Sequence, residues 1–436
     1  MGLSTQSYKG SRDFYPEDMR IRNYIFEVWR KVCTSYGYEE YDAPILEPVE
    51  LFSAKSGDEL VNQQSYIFTD RGGREVMLRP EMTPSVSRLV AGRRQDLPLP
   101  IRWFSIPNCW RYERPQKGRG REFYQLNVDM FGVENSEAEI EMLQLIRSIM
   151  AGFGAKPDMY EIRVNSRKIM SMVLGTWLGL DEVEQKVVSQ LIDRMHKMPM
   201  AEFEGLVDAT IPPSLREHGA TTKLLEILKA GTLESLPDEV KKTEYYQNIV
   251  SAIGRASGLG VSNIKYDITL VRGLDYYTDF VFEVFDTDPD NNRAMFGGGR
   301  YDGLVGLFGV EPLPTIGFGM SDVMFLEFLK GHDLLPKTKS SVELIIIPIG
   351  DVVKQAQKIA SETREMGVNT SIDLTGRKTE KQLKAAIKSG VVYVLFVGEQ
   401  ELQDNQYKLK NLSTSQEETH SVQRIVSIIK DRRNHQ

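Results

Sequence analysis

The sequence predicts an α+β chain of several domains: a large sheet-bearing region, a helical insertion within it, and a C-terminal α/β region. Three observations predict this. The chain has 436 residues, enough for about two or three domains. Strand-like segments fall in two blocks, before Ser166 and after Gly260, and the stretch between them is mostly helix-forming. Beyond a linker at Leu335–Ser340, strands and helices alternate in the βαβ manner. The expected boundaries are 1–165 and 261–334 for the two parts of the large region, 166–260 for the insertion, 335–340 for the linker and 341–436 for the last domain.

The elements follow in order. After Pro16, Ile21, Ile25, Val28, Val32 and Tyr36 recur at helical spacing, and Gly37 can close the helix in a left-handed cap. Pro44 and Pro48 keep Tyr41–Pro48 extended. Tyr66–Thr69 and Glu75–Leu78 flank Arg71-Gly72-Gly73 and read as a hairpin. Ile101–Pro107 and Tyr124–Phe131 are strand-like, Glu137–Phe153 an amphipathic helix and Tyr160–Val164 a strand. Strands are expected again at Lys265–Val271 and Phe280–Phe285. In the last region the strands are Val342–Pro348, Thr370–Leu374 and Val391–Val397. The helices there are Asp351–Met366, Thr379–Ser389 with a Thr379/Gln382 capping box, and Ser421–Lys430.

Composition narrows the function. Hydrophobic residues make up 41% and charged residues 26%, a globular mix rather than a disordered or fibrous one. The longest apolar runs suit buried strands and are too short to cross a bilayer. Met1–Lys9 has no apolar signal core, which argues against secretion. The two cysteines, Cys33 and Cys109, argue against a disulfide framework or a Cys-based zinc site, and fit a reducing cytoplasm. Five histidines lack metal-type spacing, and the sequence leaves any metal site undefined. The net charge of −7 does not exclude a nucleic-acid partner, because partners meet local patches. Ser340–Gln436 holds 14 Lys+Arg and 12 Asp+Glu, so this part has a charge character of its own.

Chemistry concentrates in four segments. Arg111 to Phe123 carries five basic residues within eleven positions, between two strands. Such a loop can surround a polyphosphate or an RNA end with bidentate donors. Gly118 and Gly120 let it bend, and Phe123 offers a stacking face. Arg111 and Glu113 alternate in phase, which favours a ligand loop over a merely solvated hairpin. Arg272-Gly273-Leu274-Asp275-Tyr276-Tyr277 could hold a small polar ligand, although core tyrosines beside a turn would read the same way. Gly297–Asp302, with Arg300 and Tyr301, allows close backbone approach or simply a tight turn. In Arg79–Thr83, Glu81 could meet an ammonium group or sit in a plain helix N-terminus.

Together these segments resemble the class II aminoacyl-tRNA synthetases, and within them the histidyl branch. Tyr38–Phe52 resembles the dimer-forming first motif. Phe104–Phe131 is similar to the strand–loop–strand second motif, and Arg272–Tyr277 to a signature peculiar to the histidyl branch. Gly297–Leu304 resembles another such segment. The last region resembles the anticodon-binding domain. The resemblance implies an antiparallel catalytic sheet with helices, and ligation of histidine to its tRNA through a histidyl-adenylate. ATP is then a substrate with Mg2+, and the chain a cytoplasmic homodimer without a membrane.

Residue by residue, the resemblance gives Arg111 and Arg272 to the α-phosphate and the reacting carboxylate. Glu81 and Thr83 would take the histidine ammonium. Gln125, Asp129, Tyr276 and Tyr277 would line the amino-acid pocket. Glu113 and Phe123 would hold the adenine, Arg119 and Arg121 the phosphates, and Arg114 and Gln116 the tRNA acceptor end. Asp129 stands where a glutamate is commoner, one methylene shorter. The family's third motif carries an arginine for the ATP γ-phosphate, and Met324 stands in its place. Another cation must then serve, with Arg119 and Arg121 ahead of Arg300 as candidates. The alternative is an idle, histidine-sensing regulatory relative, which Met324 favours and the C-terminal domain opposes.

Overall fold

The computed structural model describes residues 2–53, 64–116, 118–271, 276–291 and 293–434. The chain divides into two compact units, Met1–Leu335 and Pro336–Gln436. In the first, the described residues build a nine-stranded sheet. Its strands are β1 (Glu39–Glu40), β5 (Ile101–Ser105), β6 (Asn108–Trp110), β7 (Glu122–Phe131), β8 (Tyr160–Ser166), β9 (Ile264–Tyr266), β10 (Phe280–Asp286), β11 (Ala294–Arg300) and β12 (Thr315–Ser321). The order is β1-β5-β7-β12-β11-β10-β8-β9, with β6 pairing to β7. All pairs from β5 to β8 are antiparallel, and only the edge strands β1 and β9 pair in parallel. A second, three-stranded sheet holds β2 (Leu46–Pro48), β4 (Glu75–Leu78) and β3 (Ile67–Thr69) in that order.

One face of the large sheet is packed. The helix Pro16–Ser35 buries Ile25, Phe26, Trp29 and Cys33 at helical spacing, while Pro16 suits the first turn, where no backbone donor is needed. It ends in a Schellman arrangement: Tyr38 N–H donates to Cys33 O at 3.1 Å and Gly37 N–H to Thr34 O at 3.0 Å. Gly37 sits at φ +78°, the conformation its lack of a Cβ permits. The helix Glu137–Gly152 lies beside it, and both share one core with Val128, Val164, Phe282 and Phe318.

The helical stretch joins this same core. Leu174, Val188, Phe203, Leu224 and Ile249 belong to the cluster that holds the sheet residues. The helix Glu244–Gly258 anchors to Glu137–Gly152 through the Arg255–Glu137 ion pair. Its apolar faces are therefore continuous with the sheet's core.

The second unit has its own core around Leu344, Ile359, Leu395 and Ile425. Its sheet runs β14 (Thr370–Ile372), β13 (Leu344–Pro348), β15 (Tyr393–Val397), β16 (Tyr407–Asn411) and β17 (Glu417–His420). The parallel β13–β14 and β13–β15 pairs are the βαβ part, and the antiparallel β16 and β17 make the sheet mixed.

Several local expectations change. The strand expected over Lys265–Val271 stops at Tyr266, because Asp267 folds back: its Oδ1 accepts Thr269 N–H at 2.9 Å, an Asx-turn. Asp373 ends β14 in the same way, accepting Thr375 N–H at 2.9 Å. Thr379 does not cap its helix. Lys378 takes the cap position, and the Gln382 amide donates instead to Arg377 O at 2.6 Å. The Tyr38–Phe52 segment, whose apolar residues Ile45, Leu46 and Leu51 suit an extended interface strand, instead ends in the short helix Val49–Ser53, which takes in Leu51.

Candidate active site

The open face of the large sheet holds a pocket. Glu81, Thr83, Arg111, Gln125, Asn127, Asp129, Tyr276, Tyr277, Tyr301 and glycines of β11 and β12 line it. Gln125, Asn127 and Asp129 alternate along β7 and so point to one face. β12 runs beside β7, with Gly317 opposite Asp129 and Gly319 opposite Asn127. These glycines make room: a Cβ on Gly319 would lie 2.6 Å from Gln125 Nε2, and one on Gly317 would lie 2.5 Å from Val128 O.

Asp129 is buried, 3% exposed. The Tyr301 hydroxyl donates to its Oδ1, while its Oδ2 is buried without a hydrogen bond among the described residues. Burial pushes the Asp129 carboxyl up to about 7, with the Tyr301 and Tyr41 hydroxyls pulling the other way. Glu81 is also buried and accepts the Tyr276 hydroxyl at 3.0 Å. Burial, joined by the Glu81 charge, raises the Tyr276 phenol well above its ordinary value, so it stays a donor. Tyr276, Tyr277 and Tyr301 pack edge to face, with centroids 5.1 and 5.5 Å from Tyr276.

The arginine loop stands over this pocket. Arg111 Nε donates to Pro80 O at 3.0 Å, and its guanidinium lies 5.3 Å from the Phe123 ring centroid. Glu113 is tied loosely to Arg119, at 3.4 Å. Gln116 and Arg119 bridge across the loop's turn, where Gly118 adopts φ +77°. Arg114 and Gln116 are exposed.

Other residues sit differently from expectation. Arg121 is taken up by the outer side of the loop. Its Nε donates to Glu113 O at 3.1 Å, its Nη1 to the Tyr8 hydroxyl at 2.8 Å, and it stacks 4.2 Å over Tyr112. Arg300 is buried in a forked pair with Glu139, at 2.7 and 2.9 Å, so its guanidinium is already engaged. Tyr301 and Asn127 complete the pocket without having been given a role from sequence. Tyr301 lies within the noted Gly297–Asp302 segment, but its reach across β12 is a tertiary fact. Arg272, expected opposite Arg111, lies outside the described residues. Cys109 is buried near the site, and burial pushes its thiol up to about 12, so it is inert as a nucleophile at neutral pH. Among the described residues, no group of His, Cys, Asp or Glu could hold a metal ion, and no helix could cross a membrane.

An antiparallel sheet in this order, with a glycine-floored pocket beneath an arginine-bearing strand–loop–strand, is the architecture of the class II aminoacyl-tRNA synthetases. The family model described as histidyl-tRNA synthetase matches residues 10–322, and the anticodon-binding-domain model matches 343–432. The chain belongs to the histidyl-tRNA synthetase family. It is 43% identical to the histidine–tRNA ligase of Leptospira biflexa, over 98% of both chains. It is 37% identical to the chloroplastic/mitochondrial enzyme of Arabidopsis thaliana, over 94% of this chain and 83% of that one. The histidyl-tRNA synthetase structure from Nostoc sp. PCC 7120 shares the fold, with a TM-score of 0.81 at 21% identity over 99% of this chain and 100% of that one.

Proposed function

We propose that this chain is a histidine–tRNA ligase, forming histidyl-adenylate from histidine and ATP and passing the histidyl group to its tRNA. The observation that carries the reading is Asp129: a buried carboxylate at the foot of the pocket with one oxygen unpartnered. A buried acceptor without a donor is unfavourable by roughly 1–3 kcal/mol, and an imidazole N–H would relieve it. Apolar side chains would leave it unpaired and be rejected.

The chemistry follows from the groups around it. Glu81, aimed by Tyr276, takes the substrate ammonium together with Thr83. Gln125 and Tyr277 form the walls. Arg111 holds the carboxylate against the ATP α-phosphorus, with Arg272 as its counterpart, and Phe123 and Glu113 receive the adenine. Two anions must meet, so fixed guanidinium charge supplies the main acceleration. The carboxylate is already ionised, so no general base is required. The bond from the α-phosphorus to the bridging oxygen breaks, and pyrophosphate leaves with the magnesium that entered as part of the substrate. The terminal ribose hydroxyl of the tRNA, guided by Arg114 and Gln116, then attacks the carbonyl carbon of the adenylate. The acyl–phosphate bond breaks, and AMP leaves with its phosphate oxygens available to take the hydroxyl proton.

The regions divide the work. Residues 1–165 and 261–334 carry catalysis, 166–260 form the insertion, and 341–436 read the anticodon. The chain acts as a cytoplasmic homodimer through Tyr38–Phe52. Ile45 and Leu46 there, with Ile67 and Phe68 of the same small sheet, leave 39–48% of their surfaces exposed, an apolar face suited to a partner. The regulatory alternative predicts a chain without an anticodon domain, contrary to the match at 343–432. Histidine-dependent ATP–pyrophosphate exchange, followed by charging of a histidine tRNA, tests the proposal. Histidine binding without exchange would sink it.

A further inference from the structure

We propose that Arg293 is the guanidinium that meets the outer phosphates of ATP, doing from the position just before β11 what the residue at Met324 cannot do from the helix after β12. The inference rests on the ligase reading and names a residue within it.

Met324 is 9% exposed, in the first turn of the helix Asp322–Gly331. It packs beneath Gly118 at the turn of the arginine loop. A thioether there has no charge to offer a phosphate. The same place is, however, one end of a cleft of about 390 Å3, lined by Gln116, Gly118, Asp290, Asn291, Arg293, Met324 and Glu327. Arg293 immediately precedes β11, and β11 pairs with β12 at Phe296–Met320. Neighbouring strands thus deliver Arg293 and Met324 to one end of the sheet.

Position along the strands fits the substrate. Gly297 and Gly319 line the amino-acid pocket, and Arg293 lies four residues before Gly297. At about 3.3 Å per residue this is roughly 13 Å along the strand, a distance that a triphosphate tail leaving the amino-acid pocket and the long Arg293 side chain reaching toward it would cover together.

Availability separates Arg293 from the other cations. It is exposed and makes no hydrogen bond or ion pair among the described residues. Arg121 is engaged by Tyr8 and Glu113, Arg300 by Glu139, and Arg12 by Asp322 at 2.8 Å. Arg119 is freer, but it leans toward Glu113 on the adenine side of the loop. Asp290 and Glu327 also face the cleft, the latter partly neutralised by Lys330 at 3.2 Å. Two carboxylates beside one arginine suit a phosphate tail that arrives with its magnesium, and disfavour a bare anion.

The test uses the full chain. In pyrophosphate exchange, Arg293→Ala should raise the KM for ATP roughly tenfold or more, the scale of one charge-assisted phosphate contact, and leave that for histidine within about twofold. Adding Met324→Arg to that variant should recover most of the loss, since it restores a guanidinium at the other end of the cleft. Equilibrium binding of a non-hydrolysable magnesium–ATP analogue should weaken in parallel, a readout that needs no turnover. Arg293→Ala with unchanged analogue affinity, or with ATP and histidine affected equally, would overturn the inference. A wild-type chain that binds the analogue through Arg293 yet shows no exchange would overturn the ligase reading and leave this one standing.

Discussion

Tyr301 reaches over β12 at Gly317 to donate its hydroxyl to Oδ1 of Asp129. The donor follows β11, the acceptor is on β7, and the strand between them carries no side chain at the crossing point. The carboxylate, which lines the pocket, is thereby held in place at one of its oxygens.

The first prediction concerns pH. The Asp129 carboxyl lies near 7, so its charge appears as pH rises through that value. The KM for histidine should therefore climb as pH falls from 8 to 6, beyond what the substrate's own ring titration explains. Asp129→Asn should bind weakly at every pH and lose this component. Stability has the opposite sign. A raised carboxyl pKa favours the fold at acid pH, and that contribution is lost as pH rises through about 7. Melting of Asp129→Asn should thus compare best with wild type at pH 8, and the comparison should become less favourable toward acid. An identical pH profile in the two proteins would refute the assignment.

The crossing itself can be tested at Gly317. An added Cβ would contact Asp129 Oδ1 and stand 3.1 Å from the Tyr301 hydroxyl. Gly317→Ala should raise the KM for histidine far more than that for ATP. Tyr301→Phe should do so more mildly, because it removes one neutral-to-charged hydrogen bond worth roughly 1.5–3 kcal/mol. Equal effects on both substrates would point to general unfolding.

Arg111 should matter for rate. Arg111→Ala removes charge placed where the transition state develops it, and should slow adenylate formation by roughly 100- to 1000-fold. Circular dichroism and melting should change little, since the side chain's contacts within the fold are the Nε bond to Pro80 O and the guanidinium over the Phe123 ring. Near-normal exchange by the folded variant would show that the role lies elsewhere.

The N-terminal segment braces the loop. Gly10 O accepts Arg121 N–H at 2.7 Å, and Gly10 has φ +90°. A Cβ there would lie 2.7 Å from Arg121 Cγ and 2.9 Å from Pro115 Cγ. Gly10→Ala should destabilise the chain by roughly 1–3 kcal/mol through strain and clash. It should also raise the KM for ATP, with that for histidine spared. Unchanged ATP use would mean that the loop does not depend on its brace.

Removing Pro336–Gln436 should spare adenylate formation and strongly weaken tRNA charging, because that unit has its own core and sheet. Comparable charging by the truncated and full chains would remove the anticodon role.

Much of this was legible from the sequence. Helical spacing after Pro16 and the Gly37 cap gave the first helix, and the βαβ alternation gave the last unit. The arginine-dense loop, with Arg111 and Glu113 alternating in phase, was visible as local pattern, whereas Gln125 and Asp129 came from the family resemblance and Asn127 was not singled out. What stayed hidden depended on neighbours remote in sequence. Arg121 reads as a free cation until Tyr8 closes on it. Arg300 beside glycines reads as a ligand group until Glu139 is found beneath it. Thr379 and Gln382 have capping-box spacing, yet the Arg377 carbonyl competes for the same amide. In each case a partner far along the chain, or a stronger local acceptor, outweighs the pattern.

The glycine floor has one more consequence. Gly297, Gly317 and Gly319 are already the smallest residues available, and each faces a wall that an added methyl would strike. The pocket therefore cannot be narrowed from below without breaking it, nor widened from below at all. Any change of substrate, in nature or at the bench, must come from the side walls, by trimming Gln125 or Tyr277. An analogue with a bulkier ring should become acceptable only through such a trim, so the floor sets the boundary of the substrate range that this scaffold can explore.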